Sequence, residues 1–163
     1  MHTFTHILVP TDLSQCAHKA LGLAITFAVR CDADLYLLYV EDSRPDSKTW
    51  QHNETANEEI SILERLEQQT LDSYLSAAKE VAEESGLPQM DRDRLHIRVS
   101  TGEPAAEIIA AAADAQVDLI VMGTHGRTSI KDFFVGSTTE RVVLRATCNV
   151  LTVKPDGYPY LRD

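Results

Sequence analysis

The residues of this chain best suited to chemistry stand in one segment, Gly123–Glu140, which reads GTHGRTSIKDFFVGSTTE. Gly123 and Gly126 let backbone approach a ligand with no Cβ in the way. Arg127 adds a positive charge. His125 can meet an anion, take part in proton transfer, or simply face solvent from a loop. Gly136 again clears space, and Ser137, Thr138 and Thr139 follow at the expected start of a helix. The first N–H groups of a helix point outward unsatisfied and carry partial positive charge, so hydroxyls at that place make an anion site suited to phosphates. Ser137-Thr138-Thr139-Glu140 also matches the capping box S-x-x-E, in which Ser137 bonds its own helix and needs no ligand. The two readings are compatible if the Ser137 N–H serves a phosphate while its hydroxyl caps.

Such a segment needs a scaffold, and the hydrophobic pattern supplies one. Ile7-Leu8-Val9 is a short β-branched run ended by Pro10 and reads as a buried strand. Ser14 is an N-cap candidate for a helix running to about Arg30, with Ala17, Leu21, Ala24 and Ala28 at helical spacing. Asp34–Val40 is nearly all apolar, the mark of a strand buried on both faces. Glu41–Asn57 is polar, contains Pro45 and reads as a loop. Glu58–Ser85 is a long helix whose stripe includes Leu63, Leu66, Leu71, Tyr74, Leu75, Ala78, Val81 and Ala82, closed by Gly86, Leu87 and Pro88. Leu95–Ser100 alternates as a strand near a sheet edge does. Pro104 suits the first position of the next helix, with Ala105, Ile108, Ile109 and Ala112 as its stripe. Val117–Met122 is another buried strand, a helix is expected from about Thr138 to Ala146, and Asn149–Lys154 is the last strand. This β-α alternation predicts a single α/β domain, 1–155, with a parallel sheet, helices on both faces and a tail at 156–163.

Bulk properties narrow the functions. The chain has 163 residues, 44% hydrophobic and 25% charged, and a formal net charge of −10. That field repels nucleic acid and anionic membranes, so neither is an expected partner. It also opposes a polyphosphate, so a phosphate site here must be local and built from backbone N–H groups. Cys16, Cys31 and Cys148 show no C-x-x-C spacing, which argues against a disulfide framework or zinc site. No stretch near the N-terminus reads as a signal, and no run nears the about 18 apolar residues of a membrane span. A cytoplasmic location is the expectation.

In doubly wound sheets ligands bind at the carboxyl ends of strands, where the strand order reverses. The places to look are the end of the first strand, with Pro10, Thr11 and Asp12, and the end of the fourth, with Gly123. The P-loop pattern, the dinucleotide fingerprint G-x-G-x-x-G after the first strand, and the hydrolase elbow G-x-S-x-G are all absent. Gly123-x-x-Gly126, nine residues and then Gly136-Ser137 resembles the nucleotide-binding pattern of the ATP-binding branch of the universal stress protein family. ILVPTDLS and VDLIVMGTHGR resemble the same family, and the likeness covers nearly the whole chain. It implies an open five-stranded parallel sheet in the order 3-2-1-4-5. It also implies that Pro10, Thr11 and Asp12 border adenine and ribose, with Asp12 accepting from ribose hydroxyls. Val40 would line the adenine, and Met122 and Gly123 would lie under the nucleoside. Gly126, Arg127, Gly136, Ser137 and Thr139 would surround the phosphates, and a homodimer would form through the last strand. Ser129, Thr138 and Asn149 depart from residues frequent in the family, and the key glycines are all present.

Asp12 can also be a turn residue bonding nearby backbone. Phe133 and Phe134 read as a hydrophobic anchor for the long loop, Lys131 and Asp132 as solvated charges, and Trp50 as a cover for the pocket mouth or a partner. Three functions follow. The first is a regulatory module in stress response binding ATP (or ADP or AMP), Mg²⁺ included where the phosphates bring it, and read by a protein partner. The second is a slow ATPase, for which only His125 offers a base. The third is a dimeric interaction protein without nucleotide.

Overall fold

The computed structural model of the protein describes residues 3–44, 56–126 and 135–156. Trp50, Arg127, Ser129, Lys131, Asp132, Phe133, Phe134 and the tail beyond Asp156 lie outside them. The elements run β1 (His6–Thr11), α1 (Gln15–Cys31), β2 (Asp34–Asp42), α2 (Ala56–Ser85), a 3₁₀ turn (Arg92–Arg94), β3 (Leu95–Gly102), α3 (Pro104–Asp114), β4 (Leu119–Gly123), α4 (Ser137–Arg145) and β5 (Asn149–Val153). The five strands form one sheet in the order β3-β2-β1-β4-β5, with every neighbour parallel. The strand order implied by the family resemblance is the one observed.

Period-two alternation along each strand splits the core into two layers. On one face Ile7, Val9, Leu35, Leu37, Leu119 and Val121 pack with Ala20, Leu21, Ala24 and Ala28 of α1 and with Tyr74 and Ala77 of α2. On the other, Leu8, Leu38, Ile120 and Met122 meet Ala105, Ile108 and Ala112 of α3 and Val142 of α4. Local chemistry sets the helix ends. Ser14 Oγ accepts from the Ala17 N–H at 3.2 Å and starts α1. Pro104 opens α3, where the Glu103 carboxylate accepts from the Ala105 and Ala106 N–H groups at 3.3 and 2.9 Å. Gly86, at φ +65°, takes the left-handed position after α2, as its sequence neighbours lead one to expect.

Three expectations need correction. Pro10 does not end the first strand: β1 runs on through Thr11, paired Pro10↔Leu38 and Thr11↔Tyr39. Its pairing with β4 stops at Leu8↔Ile120, so Pro10 lies beyond the end of that ladder. The polar loop is shorter than Glu41–Asn57, because Glu41 and Asp42 extend β2 against Thr101 and Gly102 of β3 and α2 is already helical at Ala56. Leu75 is not part of the stripe of α2. It is 54% exposed, and the face turned to the sheet carries Leu66, Thr70, Tyr74 and Ala77. Thr70 is fully buried and settles its hydroxyl by donating to Leu66 O at 2.7 Å.

These positions separate in a stability measurement. Leu75→Ala should change the unfolding free energy by no more than about 0.5 kcal/mol. Leu37→Ala, in the sheet centre, should cost about 2–5 kcal/mol in the same chemical denaturation series.

Candidate functional site at the carboxyl edge of the sheet

The site follows from where β1 and β4 part. β1 remains paired with β2 up to Thr11, but its register with β4 ends three residues earlier, at Leu8. A crevice between adjacent strands at their carboxyl ends is the switch-point position of an open α/β sheet. The strand order reverses around it: β2 and β3 lie to one side of β1, β4 and β5 to the other.

On the β1 side, Thr11-Asp12-Leu13-Ser14 makes a tight turn into α1. Thr11 is buried and its Oγ1 accepts from the Leu13 N–H at 3.1 Å. Asp12 Oδ1 accepts from the Ser14 N–H at 3.0 Å. These two bonds hold Leu13 at φ +63°, a left-handed conformation uncommon for a bulky residue. The turn role considered for Asp12 is therefore real, and it occupies one oxygen. The other, Oδ2, faces the glycine segment: a Cβ built on Gly126 would stand 2.7 Å from it.

On the β4 side, Thr124 sets the geometry. It is buried, its N–H donates to Val153 O at 2.9 Å, and its Oγ1 lies 3.3 Å from the same oxygen and 2.8 Å from His125 Nδ1. Its carbonyl accepts the Gly136 N–H at 2.8 Å. The segment that leaves at Thr124 thus returns to it at Gly136. His125 is partly buried and held through Nδ1, not facing solvent from an open loop.

α4 begins one residue earlier than its capping box implies. Gly136 is the N-cap, with no side-chain cap bond, and Ser137 is the first helical residue. The expected Ser137 cap is thereby corrected: glycine in the cap position has no side chain to bond the first turn. Thr139, buried, donates its hydroxyl to Gly123 O at 2.9 Å and so draws the amino end of α4 against the end of β4. Ser137 is exposed there and Thr138 half-buried.

Contacts join Asp12 with Gly126, Gly123 with Thr139, and Thr124 with both His125 and Gly136, while Pro10, Thr11, Ser137 and Thr138 adjoin these residues in sequence at the same strand ends. Val40 and Met122 lie on the α3/α4 face of the sheet, Met122 buried in its core layer and Val40 packed at its margin. Arg127 lies outside the described residues. Gly123 does more than clear ligand space, since an added Cβ would stand 2.8 Å from Cys16 Sγ and 3.3 Å from the Cys16 backbone carbon. Cys16 is buried and donates Sγ–H to Val153 O at 3.2 Å. Thr124 and Cys16 are the residues that sequence reasoning missed. Thr124 is legible only as the hydroxyl lodged between two motif glycines, and Cys16 carries no signal until the register of α1 on β4 is known. Among the described residues no group of three or more His, Cys, Asp and Glu side chains is placed to hold a metal ion. Burial, with Asp118 nearby, raises the Cys148 thiol above its ordinary range, which makes it a poor thiolate.

The profile of the Universal stress protein family matches residues 3–154. The chain belongs to the universal stress protein family. Universal stress protein MJ0531 of Methanocaldococcus jannaschii is 37% identical over 93% of this chain and 82% of its own length. The solved structure of universal stress protein UspA from Lactobacillus plantarum superposes with a TM-score of 0.68 at 31% identity, covering 94% of this chain and 99% of that one. The structure of MJ0577, a universal stress protein also from M. jannaschii, gives a TM-score of 0.67 at 28% identity over 94% and 98%. No helix among the described residues is long and apolar enough to cross a membrane.

The Gly123–Cys16 contact yields a test of the scaffold. Gly123→Ala should destabilise the protein by about 1–3 kcal/mol, as overpacking does. Cys16→Ala should recover part of that loss, and a double-mutant cycle by thermal or chemical denaturation measures the coupling.

Proposed function

We propose that this chain is a nucleotide-binding regulatory module of the stress response. An adenine nucleotide, ATP foremost, would lie across the carboxyl ends of β1 and β4. One observation carries the reading: the amino end of α4, uncapped by any side chain, is tied against the end of β4, and the segment leaving that strand end passes beside Asp12, whose Oδ2 would stand 2.7 Å from a Cβ on Gly126. The first-turn N–H groups of a helix are a ready acceptor site for phosphate oxygens. A carboxylate on the opposite wall suits the hydroxyls of a ribose. The two ends of a nucleoside polyphosphate thus meet the two chemistries they require. Val40, partly buried at the margin of the α3/α4 layer, offers the apolar contact for the base, with Pro10 and Met122 buried behind it, and Arg127 belongs with the phosphates by its place in the sequence. Two family members that share the fold at 20% and 19% identity have been solved with cAMP and with dAMP, so this architecture accommodates adenine nucleotides.

Mg²⁺ would enter with the phosphates, as a hard cation shared between nucleotide and protein oxygens, and Asp12 and Ser137 are the oxygen donors at hand. β5, an edge strand paired only with β4 among the described residues, is the surface through which a homodimer would form. Sedimentation across a concentration series checks that assembly.

The test of the pocket is direct. Freshly purified protein is denatured, released nucleotide is identified by chromatography, and ATP·Mg²⁺ is titrated into stripped protein by calorimetry. ATP or its products near one per chain, with micromolar rebinding, is the expected result. Gly126→Val, which drives a side chain into the Asp12 carboxylate and away from the packed core, should weaken ATP at least about tenfold, a loss of roughly 1.4 kcal/mol. Its melting temperature should stay close to that of the parent. Undiminished ATP affinity in a folded Gly126→Val protein would remove the assignment.

A further inference from the structure

The Glu103 carboxylate is shared between two helices at the carboxyl edge. It stands between the end of β3 and the start of α3, and accepts the first-turn N–H groups of Ala105 and Ala106 at 3.3 and 2.9 Å. It also accepts from Arg141 Nη1 of α4, at 2.9 Å. A guanidinium offers five N–H donors in a planar fork, and this bridge is single-stranded. The two side chains are 42% and 26% exposed, so the arginine head is open to an arriving ligand. Arg141 follows Ser137, the first residue of α4, by four positions, which puts both on one face of the helix. Side chains of a helix lean toward its amino terminus. Glu103, at the carboxyl edge, draws the guanidinium the same way, toward the amino end of α4.

We propose that Arg141 is a latch for phosphate, exchanging Glu103 for the phosphate chain of the nucleotide; the assignment rests on the nucleotide reading above. A partly exposed ion pair is weak, so Glu103 is an easily displaced partner. A polyphosphate carries more charge than one carboxylate and presents oxygens that suit the guanidinium fork. Glu103, once released, still accepts from Ala105 and Ala106 and is not left bare. The exchange distinguishes nucleotides from nucleosides, since only a phosphate chain can open the latch.

Calorimetry with ATP and with adenosine, which has no phosphate, tests this. Arg141→Gln should weaken ATP at least about tenfold, as loss of a charge-assisted contact does, and leave adenosine unchanged. Glu103→Gln keeps an oxygen for the α3 amides and removes the competing charge. It should tighten ATP about threefold, the strength of the partly exposed pair that no longer has to break, again with adenosine unchanged. A bridge that only fastens α4 to α3 would fail alike from either side, and damage to the fold cannot imitate a gain. Equal losses of ATP affinity in the two variants, or the parental ratio of ATP to adenosine affinity in both, overturns the latch and leaves nucleotide binding standing. Failure of the parent to bind ATP overturns the nucleotide reading itself, and the latch with it.

Discussion

One carbonyl oxygen, that of Val153, holds the floor of the site together. It accepts the Thr124 N–H, lies within reach of the Thr124 hydroxyl, and takes the thiol proton of Cys16. Those donors come from the first residue past β4 and from the first turn of α1, so the end of β5 fixes both walls at once. Thr124 then passes the constraint on, because its own carbonyl receives Gly136 at the mouth of α4. An oxygen with several donors is well satisfied, and each donor is a group that burial would otherwise leave costly. The carboxyl edge can accordingly be concave, with β1 drawn away from β4, while the backbone around it remains anchored.

On the nucleotide reading proposed above, charge explains the form of the site. A chain with a net charge of −10 cannot gather a polyanion by its overall field. Backbone amides avoid the difficulty. They bring partial positive charge to within hydrogen-bonding distance without adding a basic surface, and the dipole of α4 reinforces them at the same place. A side-chain cap on α4 would spend one of those amides. Glycine at the cap position commits no side chain to the first-turn amides of Ser137, Thr138 and Thr139, and the helix is held instead by the Gly136 N–H on Thr124 O and the Thr139 hydroxyl on Gly123 O.

Much of this was legible in the sequence. Continuous apolar runs alternating with helical stripes gave the parallel sheet, and Ser14, Gly86 and Pro104 marked helix ends by chemistry that acts locally. The errors have a common cause, which is that each concerned a partner distant along the chain. Pro10 breaks a strand by local rule, but here the neighbour it would have failed has already moved away. Ser137 fits a capping box by spacing, but Gly136, bound to Thr124 O, fixes the start of the helix one residue earlier. Leu75 has the right residue type for a stripe, and only the turn of α2 on the sheet shows Thr70 buried in preference to it.

The three glycines of the motif differ in what they contribute, which bears on how the motif should be read. Gly123 is confined by the backbone of α1 at Cys16, so the fold requires it whether or not a ligand is present. Gly136 is tight as well, with 3.3 Å between an added Cβ and the backbone Thr124 O, and it also holds the cap position. Gly126 alone has a carboxylate, that of Asp12, as its steric neighbour. A spacing of glycines can therefore persist for packing reasons at one position and for ligand reasons at another. Loss of binding in a Gly123 variant would not separate the two, because the same atom contact supports the strand end and the pocket floor. Gly126 stands where the requirements divide, and the function of the pocket is best argued from the pair that it forms with Asp12.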